Sequence, residues 1–261
     1  MANVSPHIFQ TFWWGEVLSP YEMFCLKSFI DRGHQVHLYS YETQLAVPAG
    51  VVVRDAAALI ARDRFFVYGS GAEKGSPAAF ANLFRYRLLA ARGGWWIDTD
   101  VVCLSDEIPV VDQFYAFQDG DLVNNAVMFF KADHPAMVSC QARAEEMGTA
   151  VRWGETGPLL FTKVVSDLGC IDRACAPSVC YPVHYSQALD VLKPTKAAAV
   201  LECSKSSLLL HLWNEIFRRD GVRKDWLPPR GSALRQLIDR HQVDGWKGEY
   251  EPEAFECRSA G

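Results

Sequence analysis

No stretch of the chain approaches the roughly eighteen consecutive apolar residues that a membrane-crossing helix requires. The opening Met1-Ala-Asn-Val-Ser-Pro-His lacks the basic segment followed by an apolar one that marks a secretory leader. Positive charge is not in excess: 26 Lys and Arg face 31 Asp and Glu, a net charge of −5, which excludes the general nucleic-acid affinity that a basic surface confers. Among the eight cysteines there is no Cys-x-x-Cys pair, and only Cys170, Cys175 and Cys180 cluster in sequence. That argues against a zinc knuckle and for a reduced, cytosolic protein. Internal repeats and low-complexity tracts are missing too. What is present is 261 residues at 49% hydrophobic content, enough for one large domain or a domain with a small annex.

The pattern reads as α/β. A strand is expected over residues 4–14, where β-branched and aromatic side chains concentrate, and a helix over Pro20–Ile30, where Tyr21, Phe24, Cys25 and Ser28 share one face. Gly33 closes that helix, and residues 36–41 alternate as a strand. Strand, helix, glycine and strand within about forty residues form a βαβ unit and favour a parallel sheet. The reading continues with a strand at 51–53, a helix at 56–64, a glycine-rich mobile loop at 69–76 and a helix opening at Pro77 and ending at Arg92. Strands follow at 95–102, 114–117 and 123–130. After them come a helix at Pro135–Met147, a turn at 153–158 feeding a helix at 159–168, and short strands at 179–183 and 208–213. The expected division is a catalytic portion over 1–215 and a tail or small helical annex over 216–261.

The most informative segment is Gly-Gly-Trp-Trp-Ile-Asp-Thr-Asp at residues 93–100. If Asp98 and Asp100 extend the preceding apolar strand, they point to one face. Two carboxylates at the end of a buried strand repel each other and are costly to bury without a cation or donors. A hard divalent ion such as Mg²⁺ or Mn²⁺, shared with substrate phosphates, is the natural partner. The bland reading is a solvated strand end. Arg85 on the preceding helix, and the tight turn that Gly93-Gly94 permits, favour the site.

The block Asn82-Leu-Phe-Arg-Tyr-Arg-Leu-Leu-Ala-Ala-Arg-Gly-Gly-Trp-Trp-Ile-Asp-Thr-Asp resembles the central block of the Asp-x-Asp sugar-nucleotide glycosyltransferases of GT-A fold. The group in view contains α1,4-galactosyltransferases, α1,4-N-acetylglucosaminyltransferases, fungal initiating mannosyltransferases and bacterial capsule and lipopolysaccharide enzymes. Arg85, Gly93, Gly94, Trp96, Asp98 and Asp100 match the family pattern, whereas Asn82 stands where the family has Asp. Other segments extend the likeness over residues 6–215. Ile8-Phe-Gln-Thr-Phe-Trp-Trp-Gly resembles the opening strand that lies against the nucleotide base, which makes Gln10 and Thr11 donor-binding candidates and Trp13 or Trp14 the stacking residue. Asn125 matches an asparagine that reaches donor or acceptor. The Glu155 segment, Trp153-Gly-Glu-Thr-Gly-Pro, resembles a family turn. Tyr181-Pro followed by His211-Leu-Trp-Asn resembles a late pair in which the histidine completes the metal site, with Trp213 beside it.

The resemblance implies a GT-A-type, Rossmann-like nucleotide-binding fold and a retaining transferase dependent on Mn²⁺ or Mg²⁺. Asp100 would bind the metal, Asp98 the metal or the ribose, and His211 would be the third ligand. The donor would be a nucleotide-diphosphate sugar, a UDP-sugar foremost and a GDP-sugar otherwise. The acceptor would be a glycan, a glycolipid or a small molecule. If retention proceeds by double displacement, Glu155 or Asp121 would be the nucleophile; front-face attack needs neither. Basic and aromatic residues around Phe217–Arg230 leave room for peripheral membrane contact. Two other readings compete: a phosphatase of haloacid-dehalogenase type, with Asp98 as nucleophile, and a non-catalytic protein that binds sugar nucleotides or glycans.

Overall fold

A computed structural model describes residues 7–71 and 73–258; positions 4–6 of the expected first strand lie outside the described residues, as does Ala72 of the glycine-rich loop. Strands β1 (Ile8–Trp13), β2 (Gln35–Ser40) and β3 (Val51–Asp55) alternate with helix α1 (Pro20–Ile30), as the βαβ reading requires. Helix α2 (Ala78–Arg92) leads into β4 (Gly94–Ile97), and β5 (Val101–Cys103) follows. The hairpin of β6 (Gln113–Asp119) and β7 (Leu122–Phe130) precedes helices α3 (Pro135–Met147) and α4 (Leu160–Asp167). The remainder comprises α5 (Ala197–Ser204), β8 (Leu209–His211), α6 (Asn214–Arg219), β9 (Trp226–Leu227), α7 (Ala233–Ile238) and β10 (Gly248–Glu249).

The main sheet has six strands in the order β3-β2-β1-β4-β7-β6. The first three pairings are parallel and the last two antiparallel. Helices cover both faces, so the fold is the α/β class expected from the sequence, with a central, mostly parallel sheet. Alternate residues of β1 and β4 feed two separate cores. Phe9 and Trp95 pack on the α1 side with Phe24 and Phe29; Phe12 and Trp96 pack on the α2 side with Phe80, Phe84 and Phe161. Burial on both faces explains why the Trp-Trp-Ile run is continuously apolar instead of alternating. The residues from α6 onward join the α1-side core through Phe217, Leu234, Leu237, Ile238 and Phe255.

Three expectations need correction. The expected helix at 56–64 is two separate 3₁₀ turns, Ala56–Ala58 and Arg62–Arg64. The segment at 179–183 is not a strand: it starts in a 3₁₀ turn at Pro177–Val179, and Cys180 accepts the His211 peptide N–H as an irregular neighbour of β8. Most consequential, the strand expected at 95–102 is broken. β4 ends at Ile97, the chain turns through Asp98-Thr99-Asp100, and β5 pairs antiparallel with β8 in a second sheet. The two aspartates therefore do not share one face of one strand.

All eight cysteines are free thiols. No helix among the described residues is long and apolar enough to cross a membrane.

Candidate active site at the seam between two sheets

The turn that separates β4 from β5 lies at the carboxyl end of the parallel strands, where open α/β sheets bind their ligands. Helix α2 reaches it because Gly93 allows an abrupt stop. Its φ is +63°, and a Cβ there would lie 2.4 Å from the Ala132 peptide nitrogen. The chain can then return along β4 to Asp98, with Arg85 facing it from two turns back on α2.

Each aspartate has its own anchors. Asp98 Oδ1 accepts the Trp96 indole N–H at 2.8 Å and pairs with Arg85 Nη2 at 2.9 Å. The Arg85 guanidinium also lies 4.9 Å from the Trp96 ring centroid and donates through Nη1 to the Asn125 carbonyl. Asp100 Oδ2 accepts the Asn214 peptide N–H at 2.8 Å and lies 3.2 Å from His211 Nε2. One ligand atom from each of Asp98, Asp100 and His211 falls within 4.8 Å of the others. A turn between sheets thus brings the two carboxylates together although each is anchored to different elements.

The electrostatics are unequal. Burial, together with the neighbouring Asp100 charge, raises Asp98 above its ordinary carboxylate range against the opposing pull of Arg85. Burial acts to raise Asp100 as well, but the charge and hydrogen bond of His211 and the Asn214 peptide N–H outweigh it, and Asp100 lies below its ordinary range. Burial would lower His211; the Asp100 charge and hydrogen bond reverse this and raise it. Asp100 and His211 thus favour each other's charged forms, whereas the Asp98 charge is disfavoured by its burial and by its neighbour. His211 Nδ1 is buried and has no hydrogen-bond partner among the described residues. Two carboxylate oxygens and an imidazole nitrogen fit a divalent cation, whose charge would favour both aspartates ionised.

Beside Arg85 lies a buried amide network. Asn125 Nδ2 donates to Asn82 Oδ1 at 3.0 Å and to the Tyr86 hydroxyl at 2.9 Å. Asn82 Nδ2 donates to Thr156 Oγ1 at 3.2 Å, and the Tyr86 hydroxyl donates to the Thr156 carbonyl at 2.9 Å. Asn82 and Asn125 thus meet each other, and Arg85 couples them to Asp98. On the other side, the Trp213 ring lies 4.3 Å from His211 and donates its N–H to the Val183 carbonyl at 2.8 Å.

The remaining sequence candidates sit elsewhere. Gln10 donates to the Gly93 carbonyl at 2.8 Å, at the end of β4 away from Asp98. The Glu155 carboxylate accepts the Arg152 peptide N–H at 2.7 Å and closes its own turn. Thr11 is fully buried and its hydroxyl has no partner among the described residues. Trp14 stacks on Phe65 at 3.5 Å, with Arg62 over its ring at 5.6 Å. Trp13 is only partly buried; Lys224 lies 5.7 Å from its ring and 5.8 Å from that of Tyr21. Asp121 is exposed at the tip of the β6–β7 hairpin.

Sequence reasoning missed several participants. Tyr86 was recoverable, since it lies one helical turn from Asn82 on the same face of α2. Thr156 lies inside a motif already singled out. The Asn214 contact is made by a peptide N–H, which no side-chain pattern encodes, and nothing near Lys224 in sequence places it against Trp13.

No family model matches the chain. Over 146 residues it is 26% identical to human α-1,4-N-acetylglucosaminyltransferase; the match takes in 51% of this chain and 41% of that protein, so the chain spans less than half the length of the curated relative it matches. Among solved structures it is similar to the PaToxG glycosyltransferase, with a TM-score of 0.49 and 10% identity over 77% of this chain and 78% of that one. It is also similar to the apo form of the glycosyltransferase GlyE of Streptococcus pneumoniae, with a TM-score of 0.43 and 12% identity over 93% of this chain and 61% of that one.

Proposed function

We propose that the chain is a metal-dependent glycosyltransferase that moves a sugar, with retention of configuration, from a nucleotide-diphosphate sugar to a hydroxyl acceptor. The observation that carries this reading is the convergence of Asp98, Asp100 and His211 within 4.8 Å beside a buried arginine. The partial likeness to the human transferase over the half of the chain it matches supports the same class. Asp98, Asp100 and His211 would hold Mn²⁺ or Mg²⁺, and Mn²⁺ suits the mixed oxygen and nitrogen donors better. When bound, such an ion supplies Lewis-acid charge neutralisation at the diphosphate as it departs.

The protein's own groups have separable tasks. Arg85 favours the charged form of Asp98 against its burial, aims it into the turn, and contributes fixed positive charge beside the donor. Asn82 and Asn125 offer amide groups to the donor sugar. Asn82 is neutral where related transferases carry a carboxylate, so it recognises sugar hydroxyls by hydrogen bonding without adding a third anion. Trp13 is the better candidate for the base, because Trp14 is already stacked on Phe65. UDP is the favoured nucleotide. With Glu155 engaged in its own turn and Asp121 exposed, front-face attack guided by the leaving phosphate is the preferred route to retention.

A phosphatase of haloacid-dehalogenase type carries its nucleophile on the first strand, whereas a complete βαβ unit precedes Asp98 here. Titration calorimetry with UDP and GDP, each with Mn²⁺ and with EDTA, on the natural chain and on Asp100→Ala, tests the proposal. UDP binding that needs Mn²⁺ and is lost in the variant is expected. Binding of GDP alone would redirect the donor, and binding of neither would sink the transferase reading.

A further inference from the structure

The metal candidates have two flanks, and only one is accounted for. Arg85, Asn82 and Asn125 occupy the α2 flank. On the opposite flank a chain of rings leads from the site to the surface. Trp213 lies 4.3 Å from His211, Tyr185 meets Trp213 edge-on at 5.9 Å, and His184 packs against Tyr185 at 4.0 Å. Trp213 is buried, whereas Tyr185 is 36% exposed.

The β6–β7 hairpin brings carboxylates to the same place. Ile97 pairs with Val127, and the Asp98 peptide N–H donates to Ala126 at 2.8 Å. Residues 122–125 of β7 therefore run past Asp98, by roughly 13 Å at strand rise. The hairpin tip is docked to the rings: Asp119 Oδ2 accepts from the Tyr185 hydroxyl at 3.5 Å and lies 3.4 Å from His184 Nε2. Asp119 and Asp121 are both exposed.

We infer that Tyr185, His184 and Asp119 form the acceptor subsite, and that it takes an uncharged sugar ring. This rests on the transferase reading above. A pyranose has an apolar face of C–H bonds, which the electron-rich face of an aromatic ring attracts, and a rim of hydroxyls, which a carboxylate and an imidazole can bond. An exposed tyrosine bordered by exposed Asp119, with His184 half-buried against Asp119 and Ser186, presents the ring and the carboxylate. Two aspartates at the tip disfavour a uronic acid, a sialic acid or a phosphorylated acceptor, because like charges there repel. One ring, that of Trp213, stands between Tyr185 and His211, so a sugar on Tyr185 would sit on the His211 side of the site.

The test is a glycan array of neutral and anionic saccharides probed with the fluorescently labelled full chain in UDP and Mn²⁺, with the UDP titration run on the same preparations. Capture of glycans with neutral terminal sugars is expected, weakened about tenfold in Tyr185→Ala. Tyr185→Phe keeps the ring and is expected to retain capture, and UDP binding is expected to be unchanged in both variants. Capture that persists in Tyr185→Ala, capture confined to anionic glycans, or no capture while UDP still binds would each overturn the acceptor subsite. Loss of UDP binding with glycan capture intact would overturn the donor reading instead and leave the saccharide surface standing.

Discussion

Gly93 meets two demands at once. Its backbone is left-handed, and the space where a side chain would begin is filled by the Ala132 peptide. Gly93→Ala is expected to cost about 1–2 kcal/mol from the left-handed conformation alone, with the overlap adding to it. Thermal melts of the two chains measure this. Arg85 is the second sensitive residue. It is 4% exposed and its counter-charge is the partly buried Asp98, so Arg85→Ala removes a charged hydrogen-bond partner and is expected to cost about 1.5–3 kcal/mol in urea unfolding. Arg85→Lys is not expected to restore the natural stability, because one guanidinium spans the Asp98 carboxylate and the Asn125 carbonyl. At this scale the sequence was informative where a side chain does the work. Asp98, Asp100, His211 and Arg85 were all named from their motifs, and the structure brings them together. It was silent where a peptide group does, as at Asn214.

At the scale of elements, the strand–turn–strand around the aspartates decides how the site behaves. Trp96 ends the buried run of β4 and passes its indole N–H to Asp98. Trp96→Phe keeps the ring in the core and removes only that donor. It is expected to weaken Mn²⁺ affinity by about 10–100-fold, the usual effect of losing a partner of a metal ligand, while the chain stays folded. Calorimetry with Mn²⁺ and a circular dichroism melt separate the two effects. Helices α1 and α3 were legible to the residue, because prolines open both and apolar periodicity carries them through. The break at Asp98 was not legible. Val101, Val102 and Cys103 continue the apolar run as though β4 had never stopped, and only pairing with the distant β8 shows that a second sheet claims them. The 56–64 segment misled in another way: its alanines have high helix propensity, but Asp55 caps a single turn and Ala61 is extended before the next.

The whole molecule is tied together by contacts far apart in sequence. Residues after 215 contribute Phe217, Leu234, Leu237, Ile238 and Phe255 to the same core as Phe9 and Phe24. Lys224 pairs with buried Glu22 at the start of α1. A chain stopped at residue 215 is therefore expected to be insoluble or to melt far below the full chain, which solubility and scanning calorimetry would report. Mn²⁺ at about a hundred times its Kd is expected to stabilise the full chain by about 2.7 kcal/mol, EDTA to reverse this, and Asp100→Ala to abolish it. The global architecture was readable because βαβ units announce themselves locally. The partnership of the tail with α1 was not, since it depends on surfaces some two hundred positions apart. One consequence concerns tuning from a distance. Asp98 is fixed to α2 and β4, Asp100 to β8 and the first peptide of α6, so the gap between their carboxylates works as a gauge of how the two sheets sit against each other. If the proposed site holds a cation, a substitution anywhere that slides the β5–β8 pair would detune its affinity without touching Asp98, Asp100 or His211, and selection would act on that affinity from the far side of the fold.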